Sequence, residues 1–534
     1  MRSSTRIYAG LIAVVATVGV AACSTSGEKV SPGAQPSTHK SAAPAPGTPA
    51  PPDPRVVVAA ENAKPGTISW QLPKAKWATD TELAGWVNHT SVLPGQSVRM
   101  FTTATVPTYT VSAYRMGDYA GKGGRLIWKS WLLRGVRQPS CPVRAHHMVD
   151  CSNWKQTAQI STTGWPAGLY LLKLDGSDGR SKYIPLTLRT RDLAGKLVLV
   201  SADATYQAYN QYGGYSLYAG KLGFADRANV VSFNRPYDRS GARYVTAGER
   251  QIVTIAERNK LPVAYVSNTD IAADPSILAG AAGVVSPNHD EYWDTAMRNA
   301  YISARDSGTN LAFMGANAQY WRVRFAANGR EMIGYKSTAL DPVKNNADTT
   351  TLWRNAPQAR PENGLVGLMY ECFPATGPLT VTVPGFWMFK GTGAKAGSKY
   401  PGVVGVEIDR AYPIPGTPKT LEVAAHSPVQ CGRIGMTYSD LGYYTVDSGA
   451  GVFASGSMGF AIGLSAINKG AGITQQSSAF VTKVAQNLFT AMAAGPMGKA
   501  HPAHPNLAAL HANPSPSTGS GSNTGTDPGG DDDE

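Results

Sequence analysis

Two hydrophobic rhythms divide the chain. Between residues 55 and 190, apolar and polar positions alternate with period two. Ser97-Val98-Arg99-Met100-Phe101-Thr102 and Thr108-Tyr109-Thr110-Val111-Ser112-Ala113-Tyr114 are examples, and Pro94-Gly95, Gly121 to Gly124 and Asp175-Gly176 supply turns between such runs. Alternation places every second side chain on one face, so these segments predict half-buried strands. Trp165 to Leu174 reads as the turn and strand near the end of an immunoglobulin-like β-sandwich. From Gly195 the rhythm changes to short continuous apolar runs: Lys196 to Val200, Pro262 to Val266, Gly283 to Val285 and Asn310 to Met314. Helical stretches from Gly248 to Asn259 and Thr295 to Ser307 lie between the later ones. Strands apolar on both faces, alternating with helices, predict βαβ units and an α/β domain with a doubly wound parallel sheet. Residues 332 to 450 lose this regularity and read as an insertion or lid, with Trp353, Phe386, Trp387 and Phe389 spaced along it. The core resumes at Gly451-Val452-Phe453, and a helix from Ser478 to Met492 closes it. The expected organisation is a sandwich over 55–190 and an α/β domain over 191–495.

The ends carry no such rhythm. Arg2 and Arg6 precede an apolar run from Tyr8 to Val20 that closes on Ala21-Ala22-Cys23. That run is short for a membrane span and has the form of a secretory signal. Its terminal cysteine resembles the bacterial lipoprotein lipobox, which implies lipid modification of Cys23 and a chain tethered to the extracytoplasmic face of a bacterial cell membrane. Residues 24–54 are rich in Pro, Ser and Ala and are expected to be a disordered linker. Residues 496–534, closing on Asp531-Asp532-Asp533-Glu534, are expected to be a disordered acidic tail.

A net charge of +13 and a pI near 9.4 raise the question of an anionic partner. The cations form no basic run, so nucleic acid is set aside and a solvated surface facing an anionic envelope suffices. Four cysteines remain after Cys23. Cys141 and Cys151 bracket a short loop and are paired, which leaves Cys372 with Cys431, although the count alone allows three pairings. No C-x-x-C spacing supports a zinc site, and His146 and His147 fall in the loop between the first pair.

Chemistry concentrates where the apolar runs end. After successive strands come Ala202 to Asn210, Ser267 to Asp270, Ser286 to Tyr292, and Gly315 to Trp321. In an open parallel sheet these segments converge beyond the carboxyl ends of the strands, where ligands bind. The richest is Pro287-Asn288-His289-Asp290-Glu291-Tyr292. There is no G-x-x-x-x-G-K-[ST] for phosphate and no G-x-S-x-G for acyl transfer. An imidazole at His289, a carboxylate at Glu291 and a loop crowded with Tyr206, Tyr209, Tyr212, Tyr215 and Tyr218 favour a metal, since phenolates are hard anionic ligands suited to a ferric ion. The alternative is a non-catalytic cell-envelope lipoprotein whose aromatic crevice binds glycan or peptide.

Ala204-Thr205-Tyr206-Gln207-Ala208-Tyr209-Asn210, Gly214-Tyr215-Ser216-Leu217-Tyr218, Asn288 to Trp293, Gly315-Ala316-Asn317 and Gly451 to Met458 together resemble the carboxy-terminal domain of the large subunit of N,N-dimethylformamidase. The resemblance runs over roughly residues 190 to 495. It implies a glutamine-amidotransferase-like core without the nucleophilic cysteine, and an amide hydrolase using one ferric ion held by two tyrosines and a glutamate. A histidine stands beside that ion and a second glutamate activates water. Carried across by motif, Glu291 is the carboxylate ligand, Tyr218 one phenolate, Tyr209 or Tyr206 the other, and His289 the neighbouring histidine. Glu407 and Glu371 are the choices for the second glutamate. Asn210, Asn288, Tyr292, Asn317 and Trp321 are expected to meet a small-molecule or cell-wall substrate. A lipid tether departs from a cytoplasmic multisubunit enzyme and argues against dimethylformamide itself.

Overall fold

The computed structural model describes residues 53–464 and 472–512. Cys23, the preceding signal, the linker up to residue 52 and the acidic end from 513 lie outside the described residues.

The continuous apolar runs form adjacent parallel strands in the order Val263–Ser267, Leu197–Ser201, Gly283–Ser286, Asn310–Phe313 and Gly451–Ala454. All five are buried along their whole length, which explains their lack of alternation. Leu199, Tyr265 and Val285 pack on one face with the helices Arg250–Arg258 and Gln475–Ala493. Val200, Val266 and Val284 pack on the other with the helix Thr295–Asp306.

The expectation of a doubly wound, glutamine-amidotransferase-like parallel sheet is nevertheless overturned. The sheet has nine strands and is mixed. Gly435–Thr445 pairs antiparallel with Gly451–Ala454, and Glu422–Cys431, Met369–Thr380 and Lys399–Arg410 follow, each antiparallel to the last. The supposed insertion is therefore half of the sheet, and the chain is predominantly β. Its strands are 10 to 12 residues long but interrupted by register shifts between Tyr370 and Cys372, Cys372 and Ala375, Gly377 and Leu379, and Val423 and Ala425. Each bulge moves the following side chains to the opposite face, so a window read for period two finds no strand.

The amino-terminal rhythm forms two sheets, one of three strands and one of six. Their facing sides supply Val98, Met100, Val111, Leu172 and Leu186 to a common core. Buried Arg115, on the strand Thr108–Met116, donates to Glu257 on the helix Arg250–Arg258 and ties this region to the larger sheet. Both disulfides, Cys141–Cys151 and Cys372–Cys431, are formed. Residues 496–512 depart from the expected disorder: His501 stacks on Trp387 with ring centroids 4.1 Å apart, and Asn506 bonds both backbone groups of Val423. Among the described residues, no helix is long and apolar enough to cross a membrane.

Candidate active site

The strand Gly283–Ser286 ends at Pro287, and the next four residues are held from all sides. Asp290 turns inward, accepting from Ser286 Oγ at 2.7 Å and Asn268 Nδ2 at 3.1 Å, while its carbonyl takes Gln319 N at 2.8 Å. Thr205 Oγ1 accepts Glu291 N at 3.0 Å. Two glycines make the close approach possible: a Cβ on Gly315 would lie 1.6 Å from the Asn288 carbonyl oxygen, and one on Gly248 would lie 2.4 Å from Asn288 Cβ. With Asp290 used as a strut, His289 and Glu291, two residues apart, come together on the other side.

His289 Nε2 stands 3.4 Å from Glu291 Oε2 and 3.5 Å from Glu407 Oε2, and all three side chains are buried. These are ion-pair contacts rather than short hydrogen bonds. The Tyr218 hydroxyl donates to Glu291 Oε1 and accepts from Trp321 Nε1 at 3.1 Å. The Tyr209 ring stacks on Tyr218 at 4.5 Å and lies 5.2 Å from His289, with the Tyr244 ring at 5.5 Å from the same imidazole. Lys336 Nζ lies 3.0 Å from the centre of the Tyr218 ring, a cation–π contact. Burial works against an imidazolium at His289, but Glu407 and Glu291 outweigh it and raise its pKa. Burial likewise opposes a charge on Glu291, yet His289, Lys336 and the Tyr218 hydroxyl carry its pKa below the ordinary value. Burial, then the charges of Glu291 and Glu407, push the Tyr209 phenol well above its usual range. These shifts thus favour a charged His289–Glu291 pair beside a neutral Tyr209 phenol.

Among the described residues, no group of three or more His, Cys, Asp or Glu side chains is arranged to hold a metal. The donor set here is different in kind. Glu291 Oε2 is buried without a hydrogen-bond partner among the described residues, and Tyr218 and Tyr209 stand within reach of its charge. Two phenol oxygens and a carboxylate oxygen fit a hard trivalent ion. The site opens into a cleft walled by Tyr206, Tyr209, Tyr218, Tyr237, Tyr244 and Glu407 among others.

Residues 110–474 match the family described as N,N-dimethylformamidase beta subunit-like, C-terminal. The chain belongs to that family. The match begins inside the strand Thr108–Met116, well ahead of residue 190, so it takes in much of the amino-terminal sheets as well. No curated protein matches. One solved structure, a Paenibacillus sp. cycloisomaltooligosaccharide glucanotransferase complexed with cycloisomaltoheptaose, aligns at 10% identity and a TM-score of 0.15, covering 49% of this chain and 35% of its own. At that score it carries no argument about fold or function.

Within this N,N-dimethylformamidase beta subunit-like chain, the structure brings His289, Glu291, Tyr218, Tyr209 and Glu407 together. Glu371 is elsewhere, accepting from Tyr412 and Thr437 beside Arg410. Tyr206 lines the cleft, but its hydroxyl is committed to Glu249, which also accepts Ala202 N at 3.0 Å. Trp321 orients Tyr218 instead of facing the cleft. Asn210 lines the cleft, its side chain donating to Gln207 and Pro236 and accepting from Tyr212 N and Asp238 N. Tyr292 meets Tyr209 and Tyr218 edge-on, at 6.2 and 6.4 Å. The backbone of Asn317, at φ 59°, donates to Asp409, and its buried Oδ1, like that of Asn288, lacks a partner among the described residues. Sequence reasoning missed Thr205, Tyr244, Glu249 and Lys336. Thr205 sits in a segment that was already rich in site residues, whereas only the structure reveals Tyr244, Glu249 and Lys336.

Proposed function

We propose that this N,N-dimethylformamidase beta subunit-like protein is an amide (C–N) hydrolase. Tyr209, Tyr218 and Glu291 hold one ferric ion, and Glu407 and His289 move the protons. The observation that carries the reading is the imidazole of His289 set between two buried carboxylates, against a stacked tyrosine pair, beside an open cleft. A bound ferric ion would supply Lewis acidity toward the carbonyl oxygen or the attacking water.

The remaining chemistry belongs to the side chains. Glu407, on the cleft wall, takes a proton from water as its oxygen bonds to the amide carbon and the carbonyl π pair moves to oxygen. The C–N bond then breaks as that pair returns, and the proton passes from Glu407 to the leaving nitrogen, giving acid and amine. His289, whose pKa its two carboxylate neighbours raise, stands 3.5 Å from Glu407 as the nearest reserve of a proton. We assign the enzyme to the outer face of a bacterial membrane through acylated Cys23.

The glycan- or peptide-binding alternative gains nothing from the tryptophans it would use, because Trp321 donates to Tyr218 and Trp387 stacks on His501. The test is metal analysis and spectroscopy of the natively purified chain, followed by amine release from a panel of N-acyl amides. One iron per chain with a visible tyrosinate-to-iron band is expected; a colourless protein free of transition metal would sink the proposal.

A further inference from the structure

Far along the chain from these residues, the six-stranded amino-terminal sheet has an edge that exposes what a soluble surface normally hides. The strands Gly124–Lys129 and Leu133–Arg134 both pair with Thr108–Met116. Between them, Ser130 is pinned: its N–H donates to Val111 O at 2.8 Å, and its Oγ accepts Val111 N at 2.9 Å and donates to Trp131 O at 2.7 Å. Trp128 packs near Trp165, and Leu133 packs against the sandwich core. The two residues left in the bulge turn outward. Trp131 is 92% exposed and Leu132 68%, with Leu126 and Val136 exposed nearby.

The charge around this tip is one-sided. Residues 119–149 contain Lys122, Arg125, Lys129, Arg134, Arg137 and Arg144 and no Asp or Glu. Arg125 and Arg144 are paired, with Glu61 and Asp150. Lys129, Arg134 and Arg137 have no ion-pair partner among the described residues and are exposed. Arg134 and Arg137 also share the wall of an open groove with Thr105. A tryptophan and a leucine at the tip of a rigid bulge, ringed by unpaired cations, match the depth profile of a bilayer surface: apolar side chains at the boundary between headgroups and acyl chains, cations at the phosphates.

We infer that the Trp131–Leu132 bulge is a membrane-docking element that inserts into an anionic phospholipid surface, with Lys129, Arg134 and Arg137 binding the headgroups. It orients the protein on the membrane independently of any acyl anchor and independently of the hydrolase reading.

The test uses the mature chain, beginning at residue 23 and carrying Cys23→Ala so that neither the apolar signal nor an acyl group contributes, and cosedimentation with vesicles of about 30% phosphatidylglycerol in phosphatidylcholine. Binding is expected, with release at about 0.5 M NaCl, where charges are screened beyond a few ångströms. Trp131→Ala with Leu132→Ala should abolish it, Trp131→Phe should retain it, and replacing all three cations by Gln should weaken it on the order of a hundredfold. All these positions are exposed, so the variants should keep the parent's thermal transition. Vesicle binding that none of the substitutions alters, or no binding at all, overturns the inference. So does a sedimentation mass that doubles in solution and reverts in the alanine variant, which would assign the bulge to contact between copies.

Discussion

Beneath the cleft, Glu249 is fully buried, with Tyr206 and the Ala202 N–H as its hydrogen-bond partners. Burial dominates, and its pKa is pushed from 4.5 to about 8. The folded state therefore holds a proton that the unfolded chain releases near 4.5. The stability this contributes is fully present below 4.5, falls as pH rises, and is lost above about 8. A shift of this size corresponds to roughly 5 kcal/mol across the window, an upper figure for a site that relaxes on ionising. Glu249→Gln keeps an acceptor for Ala202 N and offers Tyr206 an N–H, much as the protonated carboxyl does, but it cannot ionise. Urea unfolding from pH 5 to 9 should find the two proteins close at pH 5 and the variant progressively more stable above pH 6. Asp409 and Asp203, pushed up to about 7 and about 6 by burial, tilt both curves alike and cancel in the difference. A difference that stays flat with pH would refute the reasoning and mean that Glu249 is charged in the fold.

The other predictions concern the chemistry and the bridges. Glu407→Gln should lower amide turnover by about 10²- to 10⁴-fold with iron retained, whereas Glu371→Gln should leave turnover near that of the parent; equal losses would remove Glu407 from its role. Tyr209→Phe and Tyr218→Phe should each displace or erase the tyrosinate-to-iron band, and Tyr206→Phe should leave its position unchanged, as the absorption spectra of the three purified variants will decide. His289→Ala should keep iron while turnover falls, and Glu291→Gln should lose both; the opposite pattern would exchange the two roles. Thiol titration of denatured, unreduced protein should find Cys141, Cys151, Cys372 and Cys431 unreactive, and removal of either bridge should cost about 2 to 4 kcal/mol.

Local physics explains which parts of the fold were legible. The strand Leu197–Ser201 and the helix Thr295–Asp306 could be located within a residue or two because a fully buried parallel strand and an amphipathic helix each leave a pattern inside one window. The antiparallel half did not announce itself. Met369–Thr380 contains Pro374 and Pro378 and shifts register three times against its neighbour, so its membership in the sheet is decided by pairing partners tens of residues away. The basic edge at Trp131 escaped for a related reason: scanning for consecutive cations overlooks a stretch whose distinguishing feature is the absence of acids.

The site follows the same division. His289 and Glu291 were readable because an apolar strand ending in Ser-Pro and releasing polar residues is a local signal, and Tyr209 and Tyr218 because they belong to the loop after the first such strand, Leu197–Ser201. Glu407 had no such signal. It lies in Lys399–Arg410, the outermost strand of the antiparallel half, and it approaches His289 from outside the parallel strands altogether. Choosing between Glu407 and Glu371 therefore required the register of a bulged strand pair. Cys372 opposite Ile408 puts the two glutamates on neighbouring strands with opposite fates, one turned to Tyr412 and Thr437, the other to the imidazole. A carboxylate on an edge strand can be replaced or withdrawn without disturbing the tyrosine pair, so chains that keep Tyr209, Tyr218 and Glu291 but lack a counterpart of Glu407 should hold metal without hydrolysing amides.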